Sequence, residues 1–170
     1  MKKVFGILLF AAMVLSAQEA SAQSFKTGHI NRDDIIMVMP DYDTAMKMYN
    51  AFGQELTNAL ELMQVEYNNL LDKYVKESKN YTELVKANKE QELGDMQNRI
   101  NNFREQAQVQ LQEKQAELLN PIIEKATTAI SQTAKEGGFT YVYDVRTLVY
   151  FDPAKSIDLT PLVKTKLGLK

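Results

Sequence analysis

The chain contains no cysteine and no tryptophan, and histidine occurs once in its 170 residues. Without cysteine there are no disulfide staples, no thiol nucleophile and no lipid attachment at an N-terminal cysteine. A single histidine, His29, assembles no Ser–His–Asp or Cys–His arrangement, and a lone imidazole in a strand-like segment is more often structural. No GxxxxGK[ST] phosphate loop occurs among only seven glycines. We therefore predict that the protein is not an enzyme and needs no cofactor.

A strong excess of charge of either sign is also absent, since the net charge is −2. This balance indicates no general attraction to nucleic acid or to anionic lipid. The acidic residues Asp33, Asp34, Asp41 and Asp43 lack the spacing and the closing glutamate of a calcium-binding loop. They are better suited to cap short helices, and no metal site is predicted.

The N-terminus has the pattern of an export signal. Lys2 and Lys3 precede an apolar run from Val4 to Ala17, which is shorter than the roughly 20 residues that a membrane-spanning helix needs. The run is followed by Ala20-Ser21-Ala22, a small-x-small cleavage pattern. We predict a signal peptide over residues 1–22 and a mature start near Gln23, with an uncleaved N-terminal anchor as the alternative.

Glycine and proline are scarce in the centre of the chain. Between Tyr42 and Glu136 they occur only at Gly53, Gly94 and Pro121. Apolar residues recur there at alternating steps of three and four, which is typical of the a/d seam of a coiled coil. The two series are Leu56, Leu60, Met63, Tyr67, Leu70, Tyr74 and Leu93, Met96, Ile100, Phe103, Ala107, Leu111.

One helix over this whole span would be roughly 140 Å long, and its seam would be uncovered. The seam loses phase between Ser78 and Glu92, which favours two antiparallel helices over residues 42–136 with a tip at about 78–92. The alternative is a continuous helix in a parallel dimer with a stutter at this point. Asn120-Pro121 predicts a kink or a break in the second helix.

The two ends of the chain read as strands. Phe25–Asn31 is a short strand-like stretch, and Gly137-Gly138 is a helix stop. After this stop, Phe139–Asp144 and Leu148–Phe151 are rich in Tyr, Val and Phe and predict a β-hairpin. Thr160-Pro161 opens a terminal helix, with Thr160 as its N-cap.

These ends form a small β head, over residues 23–41 and 137–170, into which the helical hairpin arm is inserted. Three short strands and one helix bury little apolar surface alone, so the head is predicted to oligomerise. The residues expected at the oligomer contact are Ile30, Phe139, Tyr141, Tyr143 and Tyr150.

This arrangement resembles the Skp or OmpH-like periplasmic chaperones over the whole mature chain. The resemblance is most specific at Pro121–Lys125, Gly138–Asp144 and Asp158–Lys164, and Gly28-His29-Ile30-Asn31 is similar to the family's first strand. It implies a periplasmic homotrimer whose arms surround a cavity like tentacles. The implied activity is ATP-independent holding of unfolded outer-membrane β-barrel proteins, the clients.

One feature departs from the basic arm tips of the best-known members. Lysines and acidic residues are equal in number from Asp72 to Glu92. A contact with lipopolysaccharide or the membrane is therefore not carried over, and electrostatic capture of clients is expected to be weaker.

Soft methionine side chains suit promiscuous contacts with unfolded chains. The candidates for client contact are Met37, Met39, Met46 and Met48, beside the first strand, and Tyr81 near the tip. Simple core filling is the alternative for the methionines. At the level of function, the alternatives are a structural coiled-coil spacer of the cell envelope and a family member specialised for another envelope partner.

Overall fold

The computed structural model describes residues 25–169, so the predicted signal peptide and Gln23 lie outside the described residues. The chain is mainly helical, with two long helices and a small three-stranded sheet, as the sequence predicts. Its elements are β1 (Thr27–Ile30), α1 (Arg32–Ile36), α2 (Pro40–Glu77), α3 (Glu83–Glu136), β2 (Tyr141–Asp144), β3 (Ile157–Asp158) and α4 (Thr160–Lys166).

The sheet has the order β2-β1-β3, and both pairings are parallel. The predicted hairpin of Phe139–Asp144 with Leu148–Phe151 is therefore wrong. The Asp144 side chain accepts a hydrogen bond from the Arg146 N–H, and a 3₁₀ turn over Val145–Thr147 leads the chain away from β2. Residues 148–151 pair with no described strand, and the third strand is Ile157–Asp158.

The first long helix, α2, starts with Pro40 in its first turn, where a missing N–H costs nothing. It ends at Glu77, a 3₁₀ turn covers Ser78–Asn80, and the Thr82 side chain accepts a hydrogen bond from the Val85 N–H to cap α3. Residues 83–92, which the sequence analysis included in the tip, are thus helical. At 1.5 Å per residue α2 is roughly 57 Å long and α3 roughly 81 Å.

Three contacts between α2 and α3 follow one order. Lys125 Nζ lies 2.8 Å from Asp41 Oδ2, and a Cβ on Gly53 would lie 3.7 Å from Leu111 Cδ2. The Tyr74 hydroxyl donates a hydrogen bond to Glu90 Oε1. Later positions in α2 therefore meet earlier positions in α3.

Pro121 lies inside α3, and the helix continues through it. The predicted break is therefore absent, and Asn120 does not cap a new helix. Proline removes one backbone hydrogen bond, while the neighbouring Ile122 is buried in the head core and contributes apolar burial at this point of the helix.

Glycines end both α3 and α4. Gly138 has φ of +66°, and the Phe139 and Gly138 N–H groups donate to the Ala134 and Lys135 carbonyls at 2.9 and 3.1 Å. This is the Schellman arrangement, and it confirms the predicted helix stop. At the start of α4, however, Thr160 is not the N-cap, because it is the first residue of the helix and Leu159 holds the N-cap position. The Thr160 N–H donates to Asp158 Oδ1 at 2.8 Å.

The core lies where β1, α1, α4 and the head ends of the long helices meet. Its fully buried side chains include Ile35, Leu159 and Val163, at 0% exposure. Gly28 is required in β1, because a Cβ there would overlap Leu159 and crowd the Phe139 ring. This packing fixes the inner face of the sheet and leaves its other face uncovered.

Candidate functional site

The outer face of the head sheet is defined by Thr27, His29, Tyr141 and Tyr143. Side chains alternate along a strand, so burial of Gly28 and Ile30 toward the core directs Thr27 and His29 away from it. The register pairs Thr27 with Tyr141 and His29 with Tyr143, which places all four on one face.

Aromatic rings cover much of this outer face. Tyr141 and Tyr143 are stacked with ring centroids 6.0 Å apart, and Phe25 meets Tyr141 edge-on, also at 6.0 Å. Tyr141 is 51% exposed. Exposed aromatic rings that pack against one another in this way are typical of a protein interaction surface.

The loop between β2 and β3 adds two more exposed apolar side chains. Val149 is fully exposed and Tyr150 is 81% exposed. The loop and the outer face together line an open cavity of about 340 Å³. Its lining residues are Thr27, His29, Tyr143, Leu148, Tyr150, Phe151, Asp152, Lys155 and Ser156.

His29 stands at the centre of this cavity wall. Its Nδ1 lies 2.9 Å from Ser156 Oγ, and its ring centroid lies 4.8 Å from that of Phe151. His29 is thus held from the loop side by Ser156 and Phe151. Asp158 lies next to His29 on β3, and its pKa is below the usual value for an aspartate. Partial burial raises this pKa, but the hydrogen bonds from Thr160 and the charges of His29 and Lys164 together lower it by more.

The five residues predicted for the oligomer contact divide between the two faces of the sheet. Ile30 is a core residue, and Phe139 is half-buried beneath Lys26, whose Nζ lies 4.3 Å from its ring centroid. Tyr141, Tyr143 and Tyr150 are exposed on the outer side. Val149 was not predicted at this contact, because the expected strand over Leu148–Phe151 gave no reason to separate it from its neighbours.

The four candidate methionines also differ in burial. Met39 is buried in the head core at 2% exposure, which matches core filling and leaves it no surface to offer. Met46 is half-buried, while Met37 and Met48 are exposed. Met37 lines a cavity of about 170 Å³ at the junction of the head and the long helices, together with Asp33, Ile36, Tyr42, Leu119 and Ile123.

Tyr81 is half-buried at the connection between the long helices. Its hydroxyl donates to Glu77 Oε2 at 2.8 Å, and its ring centroid lies 6.4 Å from that of Tyr74. The hydrogen bonds to Glu77 and Glu90 raise the pKa values of Tyr81 and Tyr74, respectively. Both phenols therefore stay protonated, and their hydrogen bonds stabilise the end of the arm where α2 and α3 are connected.

Several apolar side chains lie between the seam positions of the arm and are exposed, namely Leu62, Val65, Leu71, Val75, Leu84 and Val109. The seam predicted from the sequence does not include them. Each of them can be recognised in the sequence as an aliphatic residue that is out of phase with the seam.

An ion-pair cluster joins α1 to the end of β2. Arg146 pairs with Asp33 and lies 3.2 Å from Asp144 Oδ2, and Arg32 Nε lies 3.8 Å from the same carboxylate oxygen. These groups are partly exposed, so the cluster contributes modestly to stability. Within residues 25–169, no cluster of His, Cys, Asp and Glu is arranged to hold a metal ion. In the same range, no helix is both long and apolar enough to cross a membrane.

The chain belongs to the OmpH-like family of outer membrane proteins, whose family model matches residues 26–167. The match confirms the resemblance and covers β1, the whole arm, the outer face and all of α4. This family consists of periplasmic chaperones and not of enzymes. No curated protein matches the chain.

Proposed function

We propose that this protein is an ATP-independent periplasmic holdase, which binds unfolded outer-membrane proteins and prevents their aggregation in transit to the outer membrane. The observation that carries the proposal is the family match across the head and the whole arm. Export would follow from the signal peptide over residues 1–22, cleaved near Gln23. A holdase needs no catalytic site, because it acts by binding the unfolded state.

We propose further that the protein is a homotrimer in which each chain contributes one antiparallel helical hairpin. The order of the contacts Asp41–Lys125, Gly53–Leu111 and Tyr74–Glu90 supports the hairpin. The exposed aromatic outer face supports association through the head, because solvent-exposed apolar surface of this kind is stabilised when another chain covers it.

Clients would be held by many weak contacts in the cavity between the arms. The exposed aliphatic side chains Leu62, Val65 and Val109 supply adaptable apolar surface along the arm, and Met37 and Met48 supply it near the head. Weak sites that act together at high effective concentration hold a chain without any single strong contact.

The test combines the oligomeric mass of the exported protein with an aggregation assay. An outer-membrane β-barrel is diluted from urea in the presence and absence of the protein, and light scattering is followed over time. We expect a trimer that suppresses scattering without ATP. A trimer that leaves scattering unchanged would favour the envelope spacer, and a monomer at micromolar concentration would contradict the proposed assembly.

A further inference from the structure

The middle of α2 carries negative charge without a compensating positive charge. From Met48 to Asp72 the sequence contains no lysine or arginine, whereas its acidic residues are Glu55, Glu61, Glu66 and Asp72. All four acidic residues are exposed, and in the described part of the chain none of them forms an ion pair. The balance of charge at the tip therefore does not extend along α2.

Glu66 lies at the rim of an open groove of about 290 Å³ between α2 and α3. The least exposed residues that line it are Leu70, which is half-buried, and Met96, at 3% exposure. The bottom of the groove is therefore apolar, and its volume suits one long side chain rather than the surface of a folded protein.

Three carboxylates and one guanidinium group line this groove, from Glu66, Glu92, Asp95 and Arg99. Glu92 is already occupied, because Lys89 Nζ lies 2.5 Å from its Oε2. Within residues 25–169, Glu66 and Asp95 form no ion pair. Arg99 offsets one of these two charges, so the groove keeps an excess of negative charge, and the other carboxylates of α2 add to it.

We propose that this groove binds lysine and arginine side chains of unfolded clients, so that the arm prefers client segments in which a basic residue neighbours apolar residues. The inference rests on the proposed holdase function and names a class of segment that the arm selects. The methylene stem of the basic side chain lies on Leu70 and Met96, and its charged end reaches Glu66 and Asp95. Charge complementarity identifies this occupant, because an acidic segment is repelled by the same carboxylates.

Exposed aliphatic side chains lie beside the groove on α2. Leu62 is four residues before Glu66, so the two side chains are neighbours on one face of the helix, and Val65 directly precedes Glu66. An extended client segment can thus place a basic side chain in the groove and an apolar neighbour against Leu62. The groove is one of many weak contacts, so it biases which segments bind more than it decides whether a whole barrel is held.

The test compares two unstructured, fluorescently labelled peptides of equal length, in which the same apolar residues alternate with lysine in one and with glutamate in the other. Their binding to the exported protein is measured by fluorescence anisotropy at about 50 mM and about 500 mM salt. At low salt we expect the lysine peptide to bind about 3- to 10-fold more tightly than the glutamate peptide. The preference should shrink at high salt, because exposed charges are screened.

The variants Glu66→Gln and Asp95→Asn each remove one charge from the groove and nearly preserve the shape of the side chain. Each should reduce the preference for the lysine peptide by about half or more. Glu113→Gln is the matched control, because Glu113 is an exposed residue of α3 outside the groove and forms no ion pair in the described part of the chain. It changes the net charge equally and should keep the preference. Circular dichroism checks that all three variants are folded.

Equal binding of the two peptides, or a preference that survives in both groove variants, would overturn the inference. An equal loss in Glu113→Gln would also overturn it, because the preference would then follow net charge and not the groove. A protein that suppresses aggregation of an outer-membrane barrel but shows no preference between the peptides overturns the inference while the proposed function stands. A protein that binds neither peptide and leaves aggregation unchanged overturns both.

Discussion

The head and the arm use apolar residues in different ways. In the head, side chains from β1, α1, α4 and the ends of both long helices converge on one core, with Ile35, Leu159 and Val163 at 0% exposure. Beyond that core, the only buried apolar side chains described along the arm are Met96, at 3% exposure, and Ile100, at 0%. The remaining seam residues are half-buried, and aliphatic groups such as Leu62 and Val65, which lie between seam positions, face solvent.

From this contrast we infer that the head mainly provides stability and that the arm mainly provides surface for binding. The head has a small folded core and one sheet face outside that core, whereas the arm consists of two long helices with a narrow apolar seam and much solvent-exposed apolar surface. Mutations in the head core should therefore act mainly on folding, and changes in the arm mainly on client protection. The predictions below test that division.

The largest effect is expected when the arm is shortened. Deleting Met63–Asn69 together with the register-matched Asp95–Asn101 removes one heptad from each long helix, so the seam stays in phase. Association through the head should persist, but protection of large clients should fall sharply because the cavity is shallower, while small clients are spared. The measurements are oligomeric mass and light scattering with clients of two sizes.

The control for this deletion replaces the same two heptads by copies of neighbouring ones and keeps the arm length. It should protect large clients normally. Undiminished protection by the shortened protein would show that the arms do not form the cage.

A matched pair of methionines tests the division within the head. Met39→Ala leaves a cavity in the core and should lower the free energy of unfolding by about 2–5 kcal/mol. Met37→Ala changes an exposed side chain and should stay within about 0.5 kcal/mol. Urea denaturation of both variants measures the difference, and equal destabilisation would show that Met39 is not a core residue.

A matched pair of glycines compares the head with the arm. Gly28→Ala places a methyl group against Leu159 and Phe139 and should destabilise the protein by about 1–3 kcal/mol. Gly94 lies on α3, and a Cβ at this position would have no contact within 4 Å. Gly94→Ala should therefore stabilise the protein by up to about 1 kcal/mol. Thermal unfolding separates the two, and a tolerated Gly28→Ala would contradict the close packing of β1.

The smallest effect is expected for Tyr81→Ala. The substitution removes the hydrogen bond to Glu77 and one half-buried ring, but α2 and α3 retain the rest of their seam. Client protection should change only slightly, because holding depends on the number of weak contacts. A sharp loss in the aggregation assay would mark Tyr81 as a dominant contact and would weaken the model of distributed binding.

Local sequence patterns determined the long helices and their ends. The alternating three- and four-residue spacing specifies a helical stripe whatever it packs against, and Gly138 stops α3 through its own positive φ. Thr82 caps α3 through a hydrogen bond only three residues away. Each of these features depends on near neighbours, so the sequence alone was sufficient to predict two long helices and the stop at Gly137-Gly138, although the start of α3 was placed within the predicted tip.

Only the tertiary structure decided how the head is paired. Leu148–Phe151 has strong β propensity, but Asp144 turns the chain away, and β1 takes the short segment Ile157–Asp158 as its second neighbour. The same non-local pairing buries Ile30 and Met39 while it exposes Tyr143, and it brings Ser156 to His29. Propensity is a property of each segment, whereas pairing depends on which distant segment completes the core, and this is why the sequence could not assign the predicted contact residues to one face of the sheet or the other.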